Sequence, residues 1–533
     1  FINTVILFLY FIIDKLMCEN LLQPQNINIA KAFSSIIQTT LGPRSMLKMI
    51  IDSHGNIVVT SDGNWILREI ETNHPVGKSL VELSKTQDQE VGDGTTTIVI
   101  LACEFLKVVE ILLSKKYHPL QIVGSFFQII KDAIMFLEKK LAINLNKNDF
   151  LEFKKTITSS ISTKLVGRFS RIICEISLKT LDILNSMGST DLKKFVKLEK
   201  ICGGSIKESK VLNGIMINKD VSHPKMKRSF KNASIILLDC QIGFQKMESQ
   251  TLLDVKKGKN WENIIKTEEN YIIFICNILK SFNPDVIITE KGVSDLALHY
   301  LYKKGITVIQ RVKKSDNYRI SKITGGTIVS SVRELEVADL GFAGCFSVKK
   351  ICDEFYTFIT NCKNVLSCTI LLFGPSRDVL DEIERNLQDA LEVTKNLFKN
   401  PRILPGGGAS ELAIQNFLLK KAESLKNNNF YIYKSVAVGF EIIPKILIEN
   451  CGIPSIQALD RLKFFHSNNE SFFGIDGKNG NIIDMRKIGI FEVFSVKIQV
   501  IKAALENSSM LLRIDKCIKG MPLTNIPNKT KRI

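Results

Sequence analysis

The run Val91-Gly92-Asp93-Gly94-Thr95-Thr96-Thr97 sets one carboxylate between two glycines and follows it with three hydroxyl residues. Those residue types in that order suit a bound polyphosphate. Glycines let backbone N–H groups approach phosphate oxygens with no Cβ in the way. The threonines place hydroxyls and N–H groups at the positive end of a following helix, for which the apolar run Ile98-Val99-Ile100-Leu101-Ala102-Cys103 provides the body. Asp93 is a hard oxygen ligand for the Mg²⁺ that travels with a nucleotide. Read alone, the run is equally a glycine-rich turn with an N-capping aspartate. Its companions change the weighting. Leu41-Gly42-Pro43, Asp62-Gly63 and Gly406-Gly407-Gly408 have the same loop character. Three of the four sites lie early in the chain and one far downstream, which predicts a domain that the chain leaves and re-enters. Gly77-Lys78-Ser79 resembles the end of a phosphate-binding P-loop, but Thr72 stands where that motif needs glycine.

The elements that must position these loops can be read from periodicity. Ile29, Ala32, Phe33, Ile36 and Ile37 recur at helical spacing, and Gly42-Pro43 stops that helix. Segments 48–52 and 57–60 flank Ser53-His54-Gly55-Asn56 as a hairpin. A long buried helix is expected from Thr95 to about Lys115, with helical periodicity continuing to about Asn146. Ser159-Ser160-Ile161-Ser162-Thr163-Lys164 reads as a polar cluster ahead of another helix. From about Val211 to Phe346 the pattern turns to short β and βα units, such as 233–239 and 285–290, which marks a separate central domain. A helix is expected over Arg377 to Phe398, and Pro405-Gly406-Gly407-Gly408 opens the next one. A turn-rich stretch over 474–480 precedes a last helix from about Phe491.

Composition bounds the class. A chain of 533 residues should hold about two to four domains, because single hydrophobic cores stop growing at roughly 250–300 residues. Apolar residues at 45% and charged ones at 24% indicate a globular chain. The net charge of +18 invites a nucleic-acid reading. The lysines, however, are spread along the chain beside Asn and Ile, with no arginine block and no zinc-finger spacing, so a compositional drift explains them more simply. The twelve cysteines are scattered without a C-x-x-C pair, which suits reduced thiols better than a disulfide framework or zinc site. The six histidines lack ligand spacing. Residues 1–13 are apolar but lack a basic flank and a cleavage site, and are short for a membrane span. Met17 is a plausible start, so 1–17 are expected to be a non-native or disordered leader, and 526–533 a disordered tail. No later segment reads as transmembrane.

Together the motifs resemble those of the group II chaperonins. The resemblance is carried by Thr39-Thr40-Leu41-Gly42-Pro43-Arg44-Ser45-Met46, the run 59–71, and Gln87-Asp88-Gln89-Glu90-Val91-Gly92-Asp93-Gly94-Thr95-Thr96. Glu384-Arg385-Asn386-Leu387-Gln388-Asp389-Ala390 and Pro405-Gly406-Gly407-Gly408-Ala409-Ser410-Glu411 carry it further, and it extends over about 26–520. Segments 214–221, 248–251, 288–297, 358–363 and 511–515 narrow it to the gamma lineage of the eukaryotic cytosolic chaperonin. The implied fold is multi-domain α/β. A mostly helical equatorial ATPase domain would comprise 18–158 and 404–525. An α/β intermediate domain would comprise 159–222 and 370–403. An α/β apical substrate-binding domain would span 223–369, with a helical lid protrusion over 243–270.

The resemblance also implies roles. Asp93 would bind Mg²⁺. Gly94, Thr95, Thr96 and Thr97 would cradle the phosphates of ATP, with Gly42 and Pro43 shaping the opposite wall. Asp62 and Asp389 would orient and activate the attacking water. Thr163 and Lys164 would sense the γ-phosphate, and Gly408, Gly477 and Glu492 would contact the nucleoside end. Helical geometry is compatible with Asp389: it falls about 120° from Ile383, off the face formed by Ile383, Leu387, Ala390 and Thr394. Substrate would be met near Leu296–Leu301, an apolar helix that suits core packing equally well. The implied partners are the other subunits of a cytoplasmic double ring with eight different subunits per ring. The clients would be unfolded proteins, including actin and tubulin. Neither nucleic acid nor membrane is implied. The alternative is a structural ring subunit that binds nucleotide with little hydrolysis. Two departures from the pattern are Trp65, where the family has a small residue, and Phe373-Gly374-Pro375 in place of an Arg-containing turn.

Overall fold

In the computed structural model the described residues are 22–51, 55, 57–70, 72, 74–146, 149–185, 191–243, 258–362, 367–425 and 429–515. The expected leader (1–17), the tail (526–533), half of the expected protrusion (244–257) and most of the hairpin turn (52–54 and 56) lie outside them. The chain forms two compact units, Phe1–Ser170 with Glu392–Ile533, and Arg171–Leu391. The first unit is therefore built from both ends of the chain.

The first pass through that unit runs α1 (Leu22–Ile37), hairpin β1 (Lys48–Ile51) and β2 (Ile57–Thr60), α2 (Gly63–Glu69), α3 (Pro75–Glu90), α4 (Thr95–Ser114), α5 (Pro119–Phe136), β3 (Ile143–Asn144) and α6 (Phe150–Ser162). Helix α4 is apolar nearly all round, and Ile98 through Cys103 are all buried. A run without a polar face must be enclosed by other elements, and α1 and α3 pack along the helix. Gly77-Lys78-Ser79 lies inside α3, where Gly77 is buried.

In the second unit, α7 (Ser170–Asn185) and α8 (Leu192–Phe195) lead into two sheets. The smaller sheet takes β4 (Val196–Cys202) and β5 (Lys210–Leu212). The larger takes β6 (Gly214–Ile217), β7 (Ser229–Leu238), β8 (Val286–Thr289), β9 (Thr307–Ile309), β10 (Ile328–Val329), β11 (Gly341–Ile351) and β12 (Glu354–Thr360), in the order β6-β12-β11-β7-β8-β9 with β10 also on β7. β7, β8 and β9 are parallel, joined through α9 (Gly258–Ser281) and α10 (Asp295–Lys303), with α11 (Lys314–Thr324) after β9. β13 (Cys368–Gly374) completes the smaller sheet between β4 and β5. In α10, Ala297, Leu298 and Leu301 are core residues, whereas Leu296 is exposed.

Helix α12 (Arg377–Lys399) carries the chain back to the first unit. There follow β14 (Arg402–Pro405), α13 (Ala409–Ser424), α14 (Asn429–Gly439), α15 (Ile442–Asn450), α16 (Ser455–Ser467), β15 (Phe473–Ile475), β16 (Ile482–Asp484), α17 (Met485–Ile488), β17 (Phe491–Val493) and α18 (Phe494–Leu512). α18, α14 and α15 close the remaining sides of α4, and β17-β14-β3 form a small sheet. Along α5 and the turn after it, Pro119–Leu141 is long and apolar enough to cross a membrane, and half of it is buried. Within it, Asp132 pairs with Lys421 at 2.5 Å and accepts from the Tyr433 hydroxyl at 3.0 Å. These contacts tie α5 to α13 and α14.

One expectation differs from the fold. Helix does not run on from Lys115 to Asn146. His118 caps a new helix at Pro119, and Ile143-Asn144 leaves helical geometry to pair with Arg402-Ile403. The polar cluster at 159–164 does lie ahead of helix, with helical turns over 165–169 and then α7, and it also closes α6. Ser160, Ser162 and Thr163 donate their hydroxyls to carbonyls three residues back. Such back-bonding lets hydroxyl residues close a last turn.

Buried His466 on α16 lies with Nε2 2.8 Å from the Phe473 carbonyl oxygen, fastening α16 to β15. Burial holds its pKa below the usual histidine value. The unfolded chain therefore takes up the proton first as pH falls through about 6.5, and stability is lost below that pH. The thermal midpoint of the wild type should fall between pH 7 and 5.5 more steeply than that of His466→Gln; parallel pH profiles would refute this.

Candidate functional site

The loop between α3 and α4 is built to leave N–H groups unspent. Gln87 ends α3 by accepting from Val91 N at 3.0 Å and Gly92 N at 3.3 Å on its backbone oxygen. Its side-chain Nε2 donates to the Asp93 carbonyl at 2.9 Å. Gly94 is the N-cap of α4 with φ +79°, a left-handed conformation that favours glycine. A Cβ there would lie 2.9 Å from Val500 Cγ2 and 3.3 Å from Val496 Cγ1. The first main-chain bond of α4 is Ile98 N to Gly94 O at 3.0 Å, so the N–H groups of Thr95, Thr96 and Thr97 belong to the open first turn. That end carries the positive pole of a 20-residue helix. The Asp93 carboxylate folds back to accept from Gly94 N at 2.7 Å.

Asp62 arrives from the hairpin side. It caps α2, accepting from Asn64 N at 3.3 Å and Trp65 N at 3.4 Å. Its own N–H is held by the buried Thr60 hydroxyl at 3.1 Å. Thr95 Oγ1 donates to Asp62 Oδ1 at 3.3 Å. Gly63 permits the approach, since a Cβ there would lie 2.6 Å from Thr96 Cγ2. Trp65 thus supplies a capping N–H to Asp62 from the first turn of α2.

The opposite wall comes from the returning chain. Gly42, at φ +93°, leaves 2.8 Å from a would-be Cβ to Leu447 Cδ2 on α15. Asn450 on the same helix donates to the Leu41 carbonyl at 2.8 Å. Gly408, at φ +77°, leaves 2.9 Å from a would-be Cβ to Pro444 Cβ, so α15 backs both glycine turns. Gly477 is buried against Pro43, where a Cβ would lie 2.5 Å from the ring. Glu492, paired with Leu404 between β17 and β14, stands beside Gly406, whose would-be Cβ is 3.5 Å from Glu492 Cγ. Burial raises the Glu492 pKa; Lys497 opposes that, and the charges of Glu411 and Asp93 add to it.

Of the residues expected from sequence, Gly42, Pro43, Asp62, Asp93, Gly94, Thr95, Thr96, Thr97, Thr163, Lys164, Gly408, Gly477 and Glu492 all fall in the first unit. Thr163 caps the C-terminus of α6 and Lys164 follows it, its N–H donating to Ile161 O at 3.0 Å. One turn earlier, Ser159 Oγ donates to the Phe491 carbonyl at 2.6 Å, beside Glu492. Asp389 lies in the second unit, on α12. Ile383, Leu387, Ala390 and Thr394 are buried there and Asp389 is half-buried, as its angular position predicts. Gln87, Asn64, Asn450 and Lys497 acquire roles that sequence reasoning did not assign. Asn64 donates to Asp88 Oδ2 at 2.9 Å, holding α2 on α3.

The sequence as a whole matches the TCP-1/cpn60 chaperonin family over residues 33–522. The chain belongs to that family. It is 44% identical over 504 residues to the protein named T-complex protein 1 subunit gamma of Schizosaccharomyces pombe, covering 94% of this chain and 95% of that one. The human protein of the same name is 45% identical over 504 residues, covering 93% and 92%. That of Arabidopsis thaliana is 44% identical over 510 residues, covering 94% and 92%. The function of this chaperonin is accordingly assistance to protein folding, and the expectation of the gamma lineage is borne out.

The loop carrying Asp93 depends on one backbone conformation that a side chain opposes. Gly94→Ala should cost about 1–3 kcal/mol locally and weaken Mg²⁺·ATP binding at least about tenfold, near 1.4 kcal/mol. Isothermal titration, with circular dichroism to verify retained helix content, checks this. Wild-type affinity would show that the left-handed turn does not shape the site.

Proposed function

We propose that this chaperonin is an ATP-hydrolysing, gamma-type subunit of a cytosolic hetero-oligomeric double ring. The observation that supports it most is the convergence of Asp62 and the Gly92–Thr97 loop at the open N-terminus of α4. The donor set fits Mg²⁺·ATP: Asp93 offers a carboxylate for the metal, and the first-turn N–H groups and hydroxyls offer hydrogen bonds to phosphate oxygens.

In this reading, Thr95, Thr96 and Thr97 bind the phosphates, and Gly42 and Pro43 bound the opposite wall. Gly408, Gly477 and Glu492 hold the nucleoside. Asp62 and Asp389 orient a water and accept its proton, with Asp62 held by its bonds to α2 and Thr95. Asp93 would hold the Mg²⁺ of Mg²⁺·ATP, which would supply charge neutralisation for phosphoryl transfer. Thr163 and Lys164 respond to the γ-phosphate. Segments 18–158 and 404–525 form the ATPase domain, 159–222 and 370–403 the intermediate domain, and 223–369 the substrate-binding domain. Hydrolysis shifts the balance between open and closed arrangements of these domains. The clients are unfolded proteins, including actin and tubulin.

Native complexes captured through this chain test the reading. Two eight-membered rings of chains near 60.0 kDa would weigh about one megadalton. Asp389→Ala should leave ATP bound and lower this subunit's turnover by about 10²–10⁴-fold, the usual contribution of a positioned acid or base. Single-turnover hydrolysis with the ring otherwise intact reads it. Unchanged turnover in a ring of that size would favour a subunit that binds nucleotide without hydrolysing it. A monomer would refute ring assembly.

A further inference from the structure

Lys497 lies in the first turn of α18 and is 4% exposed. Its Nζ donates to Glu411 Oε1 and to Glu492 Oε2. Glu411 is fully buried and also accepts from the Ser410 hydroxyl at 3.0 Å. Glu492 keeps 37% of its side chain exposed. The three residues come from α13, β17 and α18. A single ammonium thus joins a carboxylate that has no room to move to one that faces the nucleotide loops. The same helix presents Val496 and Val500 to Gly94.

The charges make the arrangement specific. Burial lowers the Lys497 pKa, but its two carboxylates outweigh that and raise it. Two carboxylates and one ammonium leave the cluster net negative, with Asp93 adding to the field at Glu492. Without Lys497, Glu492 would face two like charges and no cation. It would then take up a proton or turn away. A buried ion pair that serves packing alone gains little over apolar residues of the same shape. Here one arm of the pair ends on a residue of the site.

We infer that Lys497 is a positioning residue for nucleotide binding. Anchored by Glu411, it holds Glu492 in place beside Gly406–Gly408, and it touches no ligand itself. The inference rests on the assignment of Glu492 to the nucleoside end.

A double-mutant cycle on the full chain tests it, with Mg²⁺·ATP binding measured by isothermal titration. Glu492→Gln and Lys497→Met should each weaken binding about tenfold, or 1.4 kcal/mol. The double variant should bind no more weakly than Glu492→Gln alone, because both changes remove one interaction. Lys497→Met strands the Glu411 charge, so the cycle is repeated in a Glu411→Gln background, where the same tenfold step is expected. Multiplying losses would show that Lys497 supports the fold and not Glu492, and would overturn the inference. So would wild-type affinity in Lys497→Met when Glu492→Gln is weakened. Wild-type affinity in Glu492→Gln would instead remove the nucleoside role of Glu492, and the positioning role with it.

Discussion

The burial of α4 is the constraint on which the first unit depends. A helix whose run Ile98–Cys103 is apolar on every side is stable only when other helices enclose that run, and all six residues are buried. Its enclosure by α1, α3, α14, α15 and α18 draws both ends of the chain into one unit. It also fixes where the N-terminus of α4 emerges. The open N–H groups of that end cannot be covered by apolar neighbours without a large desolvation cost. They must meet water, a side chain or a ligand. Gly94 turns the chain into the helix, and its missing side chain lets α18 approach.

From that point the loops follow as local solutions to one packing problem. Gly63 brings α2 against Thr96, Gly42 and Gly408 fit against α15, and Gly477 fits against Pro43. Each glycine lies where a Cβ would strike a neighbour. Asp62 is oriented by three donors and Asp93 by its own loop, so neither carboxylate is left to wander. The α12 helix joins the same scheme after Leu391: Asn396 donates to the Val91 carbonyl at 3.0 Å, and Glu392 lies where a Cβ on Gly92 would be.

Much of this was legible because it is local. The glycine–carboxylate–hydroxyl run, the Gly42-Pro43 stop, the hairpin at 48–60 and the buried helix from Thr95 are all written in short-range pattern. So was the packed face of α12, which an angle of about 100° per residue suffices to place. Other features needed the third dimension. Helical periodicity past Lys115 concealed the break at Pro119 and the strand at Ile143, whose partner Ile403 is distant in sequence. The hydroxyl cluster at 159–163 was legible as lying ahead of a helix, because serine and threonine favour caps, but that the same hydroxyls bond backwards along the end of α6 was not. Gln87 and Asn450 are ordinary polar residues in sequence. Only the approach of their partners gives them work.

Lys497 is the extreme case. In sequence it is a lysine in an amphipathic helix, and a solvated surface position is the usual outcome for that residue type. In the fold it is buried because Glu411 and Glu492 are both brought to it, and it stays charged because they are. Breaking such a cluster by removing one member costs about 3–5 kcal/mol, while replacing it entirely can be neutral or stabilising. Stability is therefore a weak reason for its presence. The asymmetry of burial, one carboxylate sealed and the other open toward the loops, points instead to control of Glu492. Carboxylates brought this close together need a cation, and a lysine approaching from the core side meets that need while leaving the exposed edge of Glu492 open.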